Sequence, residues 1–165
     1  MQYADLPRVA DERTIFSTFL DWQRDTLARK CEGLSDEQLS KHAATPSTLT
    51  LLGLVRHMAD VERGWFRRTL DAEDVPEIYH EDDDPDADFN NLESVSVEQA
   101  FASWREECER SRTIFAAHDL DDIAHRRDGA EVSMRWILTH MVEEYSRHNG
   151  HADLLRERID GATGY

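Results

Sequence analysis

Apolar residues recur along most of the chain at steps of three and four, the spacing that gathers them on one face of an α-helix. Between about Asp11 and Cys31 they are Ile15, Phe16, Phe19, Leu20 and Leu27, with Gly33 just beyond as a stop. Ser35 follows as an N-cap for the short run Asp36-Glu-Gln-Leu. A second helix starts after Thr45-Pro-Ser-Thr and runs to about Leu70, with Leu51, Leu54, Val55, Met58, Val61, Trp65 and Phe66 as its stripe. A third spans about Val97 to Ala117, opened by the capping-box pair Ser96 and Gln99, and most of its charges read as a solvated face. The fourth runs from about Met134 to Ile159, capped by Ser133, closed by Gly161 and striped by Met134, Ile137, Met141, Tyr145 and Leu155. β-branched residues are few and never alternate over a useful length, so no strand is predicted. The pattern predicts an all-α chain folded as a four-helix bundle.

The connection Asp71–Val95 between the second and third helices is long for a bundle. A connection of that length can carry the chain back along the bundle, which makes helices two and three parallel. It contains Glu81-Asp-Asp-Asp-Pro-Asp-Ala-Asp. Asp84, Asp86 and Asp88 have the first spacings of a calcium loop, but the required glycine is missing and Pro85 interrupts. The segment therefore reads as a mobile, solvated acidic loop.

Composition narrows the function. The 165 residues fit one domain, 1–165, and the formal net charge is −16. That charge opposes binding to nucleic acid, which needs cations to replace phosphate counterions, and docking on anionic lipid. There is no apolar signal segment at the N-terminus, and the run Leu49–Val55 is far too short to cross a membrane. Cys31 and Cys108 are isolated thiols, which points to a reducing cytoplasm and away from a disulfide.

The informative chemistry lies on the fourth helix, in His140-Met-Val-Glu-Glu144-Tyr-Ser-Arg-His148-Asn-Gly-His151. At about 100° per residue, His148 points near the centre of the apolar stripe. Glu144, His151 and His140 lie roughly 40°, 60° and 80° to one side of it. A carboxylate and an imidazole one turn apart thus face the bundle interior. They are either a self-satisfying Glu–His pair or two ligands of one divalent cation. A third ligand has to come from a neighbouring helix, and His57, beside the Leu54 and Val61 edge of helix two, is the candidate. His42, His80, His118 and His125 fall in turns or helix ends and read as surface residues.

His57 followed by Glu-x-x-x-His-x-x-His resembles the DinB/YfiT-like superfamily. The likeness covers nearly the whole chain and is densest in Leu-Val-Arg-His57-Met-Ala-Asp-Val-Glu-Arg-Gly-Trp65-Phe and in Arg135 to Glu157, where it is similar to an actinobacterial DinB-like branch. The resemblance implies a four-helix bundle with a long crossover between helices two and three, and zinc or nickel held by one helix-two His and two helix-four ligands. Many members carry His-x-x-x-His on helix four, where this chain has Glu144 and His148. The related mycothiol-dependent maleylpyruvate isomerases use a Glu at that place, so His57, Glu144 and His148 are the expected ligands. His151 is either an alternative ligand or a catalytic group that moves protons, a role His140 could share. Three protein ligands leave a fourth position open, as in catalytic zinc sites. The function implied is a metal-dependent S-transferase joining a low-molecular-weight thiol of the mycothiol type to a small electrophile. A metal-dependent hydrolase of small molecules and a non-catalytic metal-binding stress protein are the alternatives. Superfamily members are often dimers, so a homodimer is also expected.

Overall fold

The four long helices start where short polar side chains satisfy their first N–H groups. In the computed structural model, which describes residues 5–81 and 83–164, Asp11 accepts from Thr14 N–H at the start of α1 (Glu12–Cys31). Ser35 and Gln38 form a reciprocal capping box on the one-turn α2 (Asp36–Leu39). Thr50 caps α3 (Leu51–Glu62) through Gly53 N–H. Ser96 and Gln99 form the expected capping box on α5 (Val97–Ala117), and Ser133 accepts from Trp136 N–H to open α6 (Met134–Asp160). Gly161, at φ 81°, takes the left-handed conformation that ends α6, a conformation costly for any residue with a Cβ.

The long helices run in an up, down, down, up order. α1 packs mainly on α6, and α3 mainly on α5. Contact order along the chain gives the directions. Arg56 reaches Ser94 near the start of α5, and Asp71 reaches His118 past its end, so α3 and α5 are parallel. Glu12 meets Arg135 and Gln23 meets Asn149, so α1 and α6 are parallel as well. His57 faces His148 while Trp65 faces Trp136, so α3 and α6 are antiparallel. The parallel α3–α5 pair is what the long crossover makes possible.

Three features depart from the sequence expectation. First, α3 continues beyond Glu62 as a π-helix, Arg63–Leu70, whose last turn closes with Asp71 N–H on Phe66 C=O. Such segments recur at functional sites because the wider turn re-aims side chains. Second, a two-stranded antiparallel hairpin, β1 (Ile123–His125) and β2 (Glu131–Ser133), joins α5 to α6 and packs on the π-helix. Three-residue strands are too short to show a period of two, which is why alternation missed them. Third, the crossover is not a freely solvated loop. It carries a one-turn helix α4 (Ala87–Asn90), and Tyr79, Ala87 and Asp88 are buried.

The crossover is docked on α3 at three places. Asp60 accepts from the backbone N–H groups of Ile78, Tyr79 and His80 at 2.6, 2.9 and 3.2 Å. Arg56, 1% exposed, donates to Ala87 C=O, Asn91 C=O and Ser94 Oγ. At Gly53 a Cβ would stand 2.7 Å from the Phe89 ring, so the bare backbone is what lets α4 lie against α3.

At the centre of the bundle, Glu62 is completely buried. Arg24 from α1 pairs with it through two hydrogen bonds of 2.8 Å, and Tyr145 from α6 donates to it at 2.7 Å. Trp104 from α5 donates to the Tyr145 hydroxyl at 2.9 Å. Burial pushes the Glu62 carboxyl up, but the Arg24 charge and the hydrogen bonds to it win and hold it below its ordinary range. Burial drives the Tyr145 hydroxyl well above its ordinary range, with Cys108 and Glu62 adding to it, so it stays a donor. Removing one partner of such a pair leaves the other charge buried and uncompensated. Glu62→Ala is expected to cost about 3–5 kcal/mol in urea unfolding, whereas a joint Arg24→Leu and Glu62→Leu exchange costs clearly less than the single variant.

Candidate metal and thiol site

His57 lies on α3, and Glu144 and His148 lie one turn apart on α6. The antiparallel packing of these helices brings one donor atom of each to within 4.8 Å of the others. Glu144 Oε2 is 3.2 Å from His148 Nε2, and the His57 and His148 rings meet edge to face at 4.7 Å between centroids. The side chains are 26%, 14% and 11% exposed in the order His57, Glu144, His148, so the cluster lies just below the surface. The rotation of α6 follows from its neighbours in sequence: Tyr145, tied to Glu62 in the core, fixes which way the residues on either side point.

His151 stands behind the cluster, its Nδ1 3.4 Å from Nδ1 of His148. The geometry therefore gathers Glu144, and not His151, with the two histidines. His140 lies on the other side, with Nε2 3.5 Å from Glu144 Oε1, and together with Glu143 and Glu144 it makes a second, more open group. Arg147 contacts both of those glutamates, so this second group reads as a ladder of ion pairs along α6.

Burial lowers the pKa of His148 to about 4, with the neighbouring His57 charge adding to the effect and Glu144 opposing it. Its imidazole is thus neutral at physiological pH, the form that donates to a metal. His57 has its Nδ1 2.7 Å from Asp88 Oδ2, a partner from the crossover. Two imidazoles and one carboxylate, converging within 4.8 Å, suit zinc and other divalent ions of the first transition row.

A cleft of about 430 Å³ opens from His57 and Asp88. Val61, Gly64, Trp65 and Arg68 form one wall, and the hairpin turn Arg126–Asp128 forms the other. The π-helix supplies Trp65, which touches His140 at 4.8 Å and Trp136 at 5.3 Å between centroids and carries the Arg126 guanidinium over its face at 5.2 Å. A larger hollow of about 680 Å³ between α1 and α5 includes Cys31 and Phe101 but shares no residue with the cluster. Cys31 and Cys108 are both buried, and burial pushes the Cys31 thiol up to about 12 and the Cys108 thiol higher. Neither is a nucleophile at neutral pH.

A four-helix bundle with a His–Glu–His cluster beside an open cleft is the class of protein that this structure defines. Residues 15–161 match the family described as mycothiol-S-transferase, and the chain belongs to that family. Among solved structures it is similar to a conserved protein of Enterococcus faecalis at 13% identity and a TM-score of 0.66, over 93% of this chain and 100% of that one. That likeness bears on the fold. No curated protein matches the chain significantly.

The contact of Asp88 with His57 and the Arg24–Glu62 pair escaped the sequence reading. Glu62 had a visible signal, since it lies four residues from both Met58 and Phe66 on the apolar stripe. Asp88 had none, because it sits in an aperiodic acidic run.

Two outcomes follow. The unfolded chain protonates His148 near pH 6.5 and the folded chain only near 4, so acidification across that window favours unfolding. In metal-free protein this contribution is on the order of 3 kcal/mol, fully present above pH 6.5 and lost by pH 4. His148→Gln is expected to flatten the fall in stability over that range. Alkylation by iodoacetamide at pH 8 should leave both cysteines unmodified until denaturant is added, as read by intact mass.

Proposed function

We propose that this protein is a metal-dependent S-transferase that joins a low-molecular-weight thiol of the mycothiol type to a small electrophile. The observation that carries this reading is the convergence of donor atoms of His57, Glu144 and His148 within 4.8 Å, with His57 also lining a cleft, in a chain of the mycothiol-S-transferase family. In this reading these three side chains hold a divalent ion, zinc first and nickel second. Such an ion lowers the pKa of a thiol placed on it, so that the thiol is a thiolate at neutral pH. The protein's own cysteines take no part.

The chain's other residues supply position and proton traffic. The thiol sulfur attacks the electrophilic atom of the second substrate, a carbon–sulfur bond forms, and the leaving group departs with the electron pair of its bond. The thiol proton passes to a neighbouring base. In this reading that base is His151, which lies beside His148, or His140, which lies beside Glu144. The cleft lined by Trp65 and Arg68 is large enough for small-molecule substrates.

Protein purified without a polyhistidine tag is expected to contain about one divalent metal per chain by elemental analysis. His57→Ala and His148→Ala should each weaken binding by more than about 100-fold, beyond the loss seen for groups that only orient ligands. The loaded protein should consume mycothiol-type thiol only when an electrophile is present, with one thioether formed per thiol lost. Turnover of the electrophile in water alone selects hydrolysis, and metal-free protein unchanged by both substitutions overturns the proposal.

A further inference from the structure

The crossover contributes one side chain to the neighbourhood of the cluster. Asp88 lies on α4, is 5% exposed, and places Oδ2 2.7 Å from Nδ1 of His57. A carboxylate only accepts hydrogen bonds, so the proton of this contact belongs to Nδ1. In the neutral ring Nε2 of His57 then carries the lone pair, and no hydrogen bond from it to the protein occurs among the described residues.

The approach of Asp88 is built into α3. Arg56, the residue before His57, holds Ala87 C=O and Asn91 C=O on either side of Asp88 and brings a guanidinium charge close to the carboxylate. The Phe89 ring packs on His57 at 5.3 Å between centroids and fills the space left by Gly53. Two consecutive residues of α3 therefore grip the crossover and receive its carboxylate. The second Asp88 oxygen is buried and has no hydrogen-bond partner. A carboxylate left so poorly satisfied has its one strong contact on His57, which is unfavourable as a purely structural arrangement.

We propose that Asp88 is a positioning residue. By accepting from Nδ1–H of His57, it holds that imidazole in the tautomer that offers Nε2 to the cluster, and so raises the affinity for divalent metal. The inference rests on the metal-binding reading above, and it ties loading of the site to docking of the crossover on α3. Carboxylates behind metal-bound imidazoles fix the ring and raise its basicity in this way, and their loss costs about 10–100-fold in affinity.

The test uses the full chain, wild type, Asp88→Ala and Asp88→Asn. Zinc affinity is measured by competition with a chromophoric chelator, and the His57 tautomer in metal-free protein by imidazole ¹⁵N chemical shifts. Asp88→Ala is expected to bind zinc about 10–100-fold more weakly and to lose the pure Nδ1–H tautomer. Asp88→Asn, which keeps an acceptor oxygen but not the charge, should fall between the two. Thermal melting checks that each variant is folded, and the isosteric Asn variant carries the test if Ala is not. Unchanged affinity in a folded Asp88→Ala overturns the proposal, and so does weakened binding with the His57 tautomer unchanged. Should wild type bind no metal at all, the functional reading fails. The tautomer measured without metal then still decides the role of Asp88.

Discussion

The buried Arg24–Glu62 pair is the constraint on which the rest of the structure depends. It joins α1 to α3 directly, reaches α6 through Tyr145 and α5 through Trp104, and so touches all four long helices. An apolar stripe alone lets a helix roll by a residue or slide by a turn at modest cost. A charge in a low-dielectric interior does not, because any roll leaves it unpaired. Glu62 sets the rotation of α3, Tyr145 sets that of α6, and His57 and His148 meet because both rotations are set. The polar centre of the core thus specifies the geometry of a site that it does not touch.

The same principle operates along the crossover. Asp60 and Arg56 lie on the exposed flank of α3 in a helical-wheel reading, yet both are used to hold an irregular segment in place. Irregular backbone needs hydrogen-bond partners when it packs against a core, and a helix can provide them only through side chains. The three N–H groups at Ile78–His80 and the carbonyls of Ala87 and Asn91 are satisfied in this way.

Much of this was legible in sequence, for reasons that differ from residue to residue. The four long helices carry periodic stripes and capped ends, and both survive into the fold. Glu144 and His148 could be singled out because a carboxylate and an imidazole on an apolar face break a regular pattern. Glu62 broke the same pattern, but neighbouring charges in Asp60-Val-Glu-Arg made it look like a solvated edge. Glu107 was hidden similarly within the charged α5, where it is buried against Arg63 and Arg67. Asp88 and the hairpin were beyond reach, because neither depends on a local period. Both are tertiary placements, visible only once α3 is in position.

The parallel pairing of α1 with α6 has a consequence for the order of assembly. Gln23 on α1 and Asn149 on α6 bond across 126 residues, so pairing of the first and last long helices closes a long loop and carries the larger chain-entropy cost. The Arg24–Glu62 contact closes a loop of only 38 residues and can form much earlier. A folding chain can therefore organise its core while the face of α1 that receives α6 is still open to water. α6, which carries both Glu144 and His148, is the piece that closes it. The donor cluster, which takes His57 from α3 and Glu144 and His148 from α6, is complete only once α6 has docked on α3.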